Sequence, residues 1–321
     1  MNRLYSDMLS RVEIEIERIE MPNSPSNLYD PIRYIMGLGG KRVRPILTLI
    51  GNQLYSGKYD EALNHAMAVE MFHNFTLVHD DVMDSADVRR KLPTVHKKWT
   101  SNIALLSGDG MLVLAYQLLQ KSSPETFSRT AEIFSNTALE VCEGQQLDMD
   151  FADIDHVSMK EYLGMIRQKT AVLLSGSLQI GAIVGGAEDL ELVILSEFAE
   201  SLGLAFQVKD DYLDAFGGAE FGKVQGGDIR EGKRTWLTVK SMELLGSDAD
   251  RLREAYQIQN LDKRVQAILT IYQELDIQSL AQKEVEKYSE IAVSSIAKLN
   301  GDERAKETLS WLVDQLIGRT I

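Results

Sequence analysis

The 321-residue chain is 44% apolar and carries 34 Lys and Arg against 48 Asp and Glu, a formal net charge of −14. That apolar fraction is enough for one large core or two modest ones. The acidic balance repels a nucleic-acid backbone and gives no general attraction to anionic lipid, so an anionic substrate must be held by local cations or by metal. A single cysteine, Cys142, excludes an internal disulfide framework and a cysteine-built zinc site, and as a small apolar residue it is expected to be buried.

In chain order, Met1–Glu20 alternates charged and aliphatic residues and has no apolar run of signal-peptide type. Met21–Asp30, with Pro22 and Pro25, predicts a loop. Met67–His79 and Ile103–Leu119 are apolar around most of their circumference, as buried helices are, and Leu190–Leu213 is similar apart from one acidic face. The most apolar stretch, Ala171–Ala187, falls short of the ~20 residues a membrane span needs. No membrane insertion is expected, and the chain reads as cytoplasmic.

Gly217–Arg234 holds six glycines and predicts a second loop, and Asp248–Ile317 spaces its apolar residues by three and four as surface-packed helices do. All six prolines lie within the first 124 residues, which leaves the remainder free to be helical. Alternating β-branched runs are scarce and no sheet is predicted. Without a repeat or linker, the prediction is one all-α domain over residues 1–321.

Two Asp-Asp-x-x-Asp motifs carry the chemistry: Asp80-Asp81-Val82-Met83-Asp84 and Asp210-Asp211-Tyr212-Leu213-Asp214, each closing an apolar helical segment. Residues i and i+4 share a helix face, so Asp80 with Asp84, and Asp210 with Asp214, aim their carboxylates together. Such like charges need compensation. Mg²⁺ supplies it, taking a few carboxylates and completing its shell with substrate phosphates.

Basic clusters accompany the motifs: Lys41, Arg42 and Arg44; Arg89, Arg90 and Lys91; Lys223, Arg230, Lys233 and Arg234. In an acidic chain this alternation suits a phosphorylated substrate. Gly227 to Lys233 falls short of a phosphate-binding P-loop, because Arg234 stands where Ser or Thr belongs and no strand precedes it. Neither a Gly-x-Ser-x-Gly elbow nor a His-Glu-x-x-His pair occurs.

From about Gly39 to Thr238 the sequence resembles the trans-isoprenyl diphosphate synthases, or polyprenyl synthetases, of the farnesyl and geranylgeranyl diphosphate synthase type. The resemblance rests on Gly39-Gly40-Lys41-Arg42-Val43-Arg44-Pro45, Phe72-His73-Asn74 leading to the first aspartates, Arg89-Arg90 with Pro93-Thr94, Glu143-Gly144-Gln145, Lys169-Thr170, Phe206-Gln207 before the second aspartates, and Gly222-Lys223 with Gly232-Lys233.

It implies an antiparallel all-α bundle around a deep central cavity, usually a homodimer. It also implies condensation of isopentenyl diphosphate with dimethylallyl, geranyl or farnesyl diphosphate. Asp80, Asp84 and Asp210 would bind three Mg²⁺, helped by Asp81, Asp211 and Asp214. Arg89, Lys169, Thr170, Gln207, Lys223 and Lys233 would hold the allylic diphosphate, and Lys41, Arg44, His73 and Arg90 would hold isopentenyl diphosphate.

Lys91 departs from the family's usual glycine and is expected to adjust its loop. For chain length, the resemblance singles out Phe75, five positions before Asp80, with Thr76, Phe72 and Met71. Phe75 without a second aromatic beside it resembles the geranylgeranyl pattern and implies a C20 product, with C15 the alternative. Two other readings stay open: a class I terpene cyclase, which would lose the second aspartate motif and the isopentenyl site, and an inactive regulatory subunit of the same fold.

Overall fold

The computed structural model describes residues 2–152, 154, 156–217 and 225–318. The helices are α1 (Arg3–Glu17), α2 (Ser26–Met36), α3 (Val43–Ser56), α4 (Leu63–Met83), α5 (Val95–Lys98), α6 (Ser101–Leu119), α7 (Pro124–Phe151), α8 (Met159–Ile166), α9 (Val172–Val184), α10 (Asp189–Phe216), α11 (Gly227–Glu231), α12 (Trp236–Leu245), α13 (Asp250–Tyr256), α14 (Leu261–Glu274), α15 (Ile277–Lys298) and α16 (Glu303–Leu316). The all-α expectation holds. The one exception among the described residues is a two-stranded hairpin, β1 (Val88–Arg89) with β2 (Leu92–Pro93).

That hairpin was missed because each strand is two residues long, too short for any alternation to register. Its turn is made by Arg90 and Lys91, both left-handed at φ 52° and 68°, the conformation in which tight hairpins match strand twist. Two further differences concern loops. Helix α2 begins at Ser26, inside the predicted Met21–Asp30 loop, and the glycine-rich segment contains the short α11. Cys142, expected inside, is exposed on α7.

Two compact units emerge. The first comprises Met1–Ser135, Gly176–Val193 and Leu299–Leu309; the second comprises Asn136–Ser175, Ile194–Lys298 and Ser310–Ile321. Each draws on three separated stretches, so neither is a contiguous part of the sequence.

In the first unit α4 is the central helix. It packs against α3 and α6, and it buries eleven residues between His65 and Asp81. Pro45 lies in the first turn of α3 and Pro124 at the start of α7, where the missing N–H costs little, whereas Pro31 lies inside α2. Helix approach depends on small residues. A side chain at Gly51 or Gly181 would strike the facing backbone, that of Leu178 or of Thr48, at 2.3 and 1.8 Å.

Helix α6 is the one described helix long and apolar enough to cross a membrane; α9, within the still more apolar Ala171–Ala187, is too short at 13 residues. It lies against α4 and α2 as a bundle helix. In the second unit α12 packs on α8, α14 and α15, with Tyr272 and Tyr256 both meeting the Thr238 hydroxyl at 2.9 and 2.8 Å.

Candidate active site

In the first unit the aspartate motif ends α4. Asp84 caps the helix and its N–H donates to the Asp80 carbonyl at 2.8 Å. The turn is therefore intact, and the two carboxylates lie on one face as their spacing predicts. Asp80 is half-buried and Asp84 exposed. The middle carboxylate differs. Asp81 is buried and grips Arg89 through three contacts of 2.7–3.0 Å, from Nε and Nη2. The sequence could list Asp81 for metal and Arg89 for the allylic diphosphate, but not that they would engage each other.

Beside them stands a cationic cluster. Arg44 donates from Nη1 to His73 Nε2 at 3.1 Å. Arginine has no acceptor to offer, so Nε2 must be the bare nitrogen and Nδ1 carries the proton. Burial, reinforced by the charges of Arg44, Arg90, Arg89 and Arg42, drives the His73 pKa well below its ordinary value and keeps the ring neutral. Arg44 itself is pushed down to about 10, first by burial and then by Arg90, with Glu70 opposing.

Arg44 Nε and His73 Nδ1 are both buried donors with no protein partner. Such donors cost about 1–3 kcal/mol each unless an acceptor arrives. Cations crowded together with unspent donors are what an anionic ligand satisfies. Gly40 belongs to the same site: at φ 146° its Cα lies against Arg90, and a Cβ would come within 2.9 Å of the guanidinium carbon. Arg90 in turn donates to the Gly39 carbonyl. Lys41 is exposed next to them.

In the second unit the motif ends α10. Asp211 is buried inside a closed shell of donors: the Tyr162 hydroxyl at 2.6 Å, Gln207 Nε2 at 2.9 Å and the Trp236 N–H at 2.8 Å. Burial nevertheless pushes its pKa up to about 7. Asp210 and Asp214 are half-buried. Asp214 accepts the Asp228 N–H at 3.0 Å and so folds the glycine-rich segment back on the end of α10. Burial and the charges of Asp214 and Asp210 raise Asp228 to about 6.

Lys169 and Thr170 sit in a five-residue π turn, Arg167–Ala171, between α8 and α9. Such turns re-aim side chains and concentrate at functional positions. Gly144 of the Glu-Gly-Gln motif makes room for it, since a Cβ there would lie 2.3 Å from the Lys169 nitrogen. Lys169 pairs with Asp148 at 2.5 Å, and the Thr170 hydroxyl reaches Gln207 at 3.5 Å. Lys233 is exposed and pairs with Glu231 at 2.8 Å. Lys223 lies outside the described residues.

Among the described residues no three carboxylates or imidazoles converge as a ready-made metal cluster. Pairs of carboxylates without nitrogen or sulfur donors suit a hard cation that fills its shell with phosphate and water. Asp148, Tyr162 and Asp228 were not singled out by the sequence, and Arg42 was given no role of its own. Arg42 lay inside a quoted motif, and Asp228 followed Gly226-Gly227. Asp148 and Tyr162 carry no local signal, because their partners are 21 and 49 residues away.

Phe75 is half-buried one turn from Phe72, ring centroids 5.5 Å apart, with His79 at 4.6 Å on the other side. Helical spacings of three and four bring both rings to it, Phe72 from the turn below and His79 from the turn above. Phe72 meets Phe134 edge to face at 5.3 Å, Met71 is buried, and the Thr76 hydroxyl is turned to the His73 carbonyl at 2.8 Å.

Comparison with known proteins agrees with this arrangement of motifs. The polyprenyl synthetase family model matches residues 25–275. A geranylgeranyl diphosphate synthase of Methanosarcina mazei is 40% identical over 237 residues, 73% of each chain. A short chain isoprenyl diphosphate synthase of Methanothermobacter thermautotrophicus is 32% identical across 99% of this chain and 97% of its own. A crystal structure of a geranylgeranyl pyrophosphate synthase superposes with TM-score 0.94 at 42% identity, covering 100% of both chains. With two intact aspartate motifs, the paired arginines and a match spanning most of the sequence, the chain belongs to the polyprenyl synthetase family.

Proposed function

We propose that this chain condenses isopentenyl diphosphate with an allylic diphosphate to give a short-chain trans-prenyl diphosphate, C20 first and C15 second. The observation that carries the reading is the Arg44–His73–Arg90 cluster, cationic and holding two buried unspent donors, built beside a paired-aspartate motif. Lys41, Arg44, neutral His73 and Arg90 bind and orient isopentenyl diphosphate. Arg89, Lys169, Thr170, Gln207, Lys223 and Lys233 are assigned to the allylic diphosphate, with Asp81 and Asp148 fixing Arg89 and Lys169.

Asp80, Asp84 and Asp210, with Asp214 beside Asp210, are the carboxylates to hold Mg²⁺, three ions by family resemblance. Asp81 and Asp211, engaged by protein donors, orient rather than ligate. When bound, the metal stabilises charge on the departing diphosphate. The cationic side chains do the same with fixed charges, the largest available lever for a barrier that is ionisation. Breaking the allylic C–O bond leaves a cation. The isopentenyl double bond attacks it, and a proton is lost, with the released diphosphate as its acceptor.

We also propose a homodimer, because α6 leaves Leu105, Leu106 and Val113 exposed, the last two at 62% and 59%. A cytoplasmic setting fits the acidic composition. Purified protein, Mg²⁺ and labelled isopentenyl diphosphate are combined with each primer and the products resolved by length. A discrete C15 or C20 diphosphate, lost with EDTA, is expected. Release of a hydrocarbon from an allylic diphosphate alone would replace condensation by cyclisation.

A further inference from the structure

The loop Gly39–Arg42 presents Lys41 and leads to Arg44, yet the cation between them faces the other way. Arg42 is 4% exposed. Its guanidinium meets Glu70 of α4 at 2.5 Å and Glu13 of α1 at 3.0 Å, and it donates to the Met36 carbonyl at 2.8 Å. Glu70 is itself buried and also accepts from Asn74 at 3.1 Å. All three guanidinium nitrogens are occupied by protein, so Arg42 has none to offer a diphosphate.

The backbone at Arg42 is left-handed, φ 49° and ψ 34°, a conformation that a residue with a Cβ does not adopt without cost. Something has to hold it there, and the buried fork does so. The rest of the loop is pinned as well: the Tyr5 hydroxyl donates to the Lys41 carbonyl at 2.8 Å, and Arg90 donates to the Gly39 carbonyl. A left-handed residue turns the chain sharply at the mouth of α3, which sets where Lys41 and Arg44 stand relative to each other. Glu70 is moreover the buried carboxylate that offsets the charge crowded around Arg44 and His73.

We infer that Arg42 is a positioning residue for the isopentenyl diphosphate site: its ion pairs with buried Glu70 and partly exposed Glu13 hold the left-handed turn that places Lys41 and Arg44. This rests on the proposed function, and it separates from an ordinary core ion pair by substrate. A core pair supports folding as a whole. A positioning pair governs one of two substrates.

Steady-state rates are measured for the wild-type chain, Arg42→Met and Tyr5→Phe, varying isopentenyl diphosphate at saturating allylic primer and then the reverse. Since misplacing a binding group by about 1 Å costs up to ~10²-fold, Arg42→Met is expected to raise KM for isopentenyl diphosphate by roughly 30-fold. The allylic KM stays within about twofold. Tyr5→Phe, which removes one neutral hydrogen bond to the same loop, gives a rise of about threefold with the same selectivity.

Equal rises in both KM values, or an unchanged isopentenyl KM in folded protein, overturn the inference. Where Arg42→Met fails to fold, Tyr5→Phe decides alone by the same criterion. A wild-type chain that elongates no primer refutes the proposed function instead. Isopentenyl diphosphate binding by calorimetry to wild type and Tyr5→Phe then decides the positioning role, which an unchanged affinity overturns.

Discussion

Asp81→Asn separates two roles that the sequence could not distinguish, metal ligand and orienting partner. The Asp81 side chain is 2% exposed and that of Arg89 27%, with contacts of 2.7–3.0 Å. Breaking a fully buried pair costs about 3–5 kcal/mol. Arg89 keeps some access to water and asparagine still offers one acceptor, so about 2 kcal/mol is expected, roughly a 30-fold change in the folding equilibrium. For a chain of this size that lowers Tm by about 3 °C.

Activity discriminates further. With Arg89 no longer held, kcat/KM for the allylic substrate should fall by about 30- to 100-fold, while the Mg²⁺ concentration giving half-maximal rate stays within about twofold of wild type. Denaturant melts and a Mg²⁺ titration of the same preparation measure both quantities. Wild-type stability together with a half-maximal Mg²⁺ raised about tenfold would show Asp81 to be a ligand and refute the orienting role.

Four further outcomes are expected. His65 is 2% exposed, neither ring nitrogen has a protein partner, and burial lowers its pKa to about 4. The unfolded chain takes up a proton near 6.5, so stability is intact above that pH and is lost as pH falls toward 4, by ~3 kcal/mol in all. Urea melts at pH 7 and 5 should cost wild type about 2 kcal/mol more than His65→Leu, and equal losses would contradict this.

Lys91→Gly relieves a left-handed residue at φ 68°; net of the extra freedom glycine gains when unfolded, it should stabilise by about 0.5–1 kcal/mol, read as a Tm rise of about 1–2 °C. Phe75→Ala should lengthen the product by at least one isoprene unit in the primer assay, and an unchanged product spectrum argues that Phe75 only fills the core. Leu106→Glu should shift sedimentation from dimer to monomer, since it places a charge on the exposed apolar face of α6; a wild-type monomer would refute the dimer itself.

The class of fold and the reaction were legible because both are written locally. Helical periodicity and proline placement belong to contiguous segments. So do the two aspartate motifs, whose i,i+4 spacing puts Asp80 with Asp84 and Asp210 with Asp214 on one face whatever surrounds them. Family membership follows from the order of such segments along the chain.

What each charged residue does was decided by partners distant in sequence. Asp81 and Asp84 are equivalent on paper. Burial at the end of α4 turns one onto Arg89 while the other caps the helix in solvent. Arg42 and Arg44 are two residues apart in one basic motif, but Glu13 and Glu70 from two other helices claim the first and leave the second to His73. Asp148 met Lys169 only because a π turn and Gly144 let α7 approach closely. A sequence lists which charges are present; long-range packing determines which are desolvated and which of their hydrogen bonds are already spent, and that divides residues that hold the site from residues left to meet a substrate.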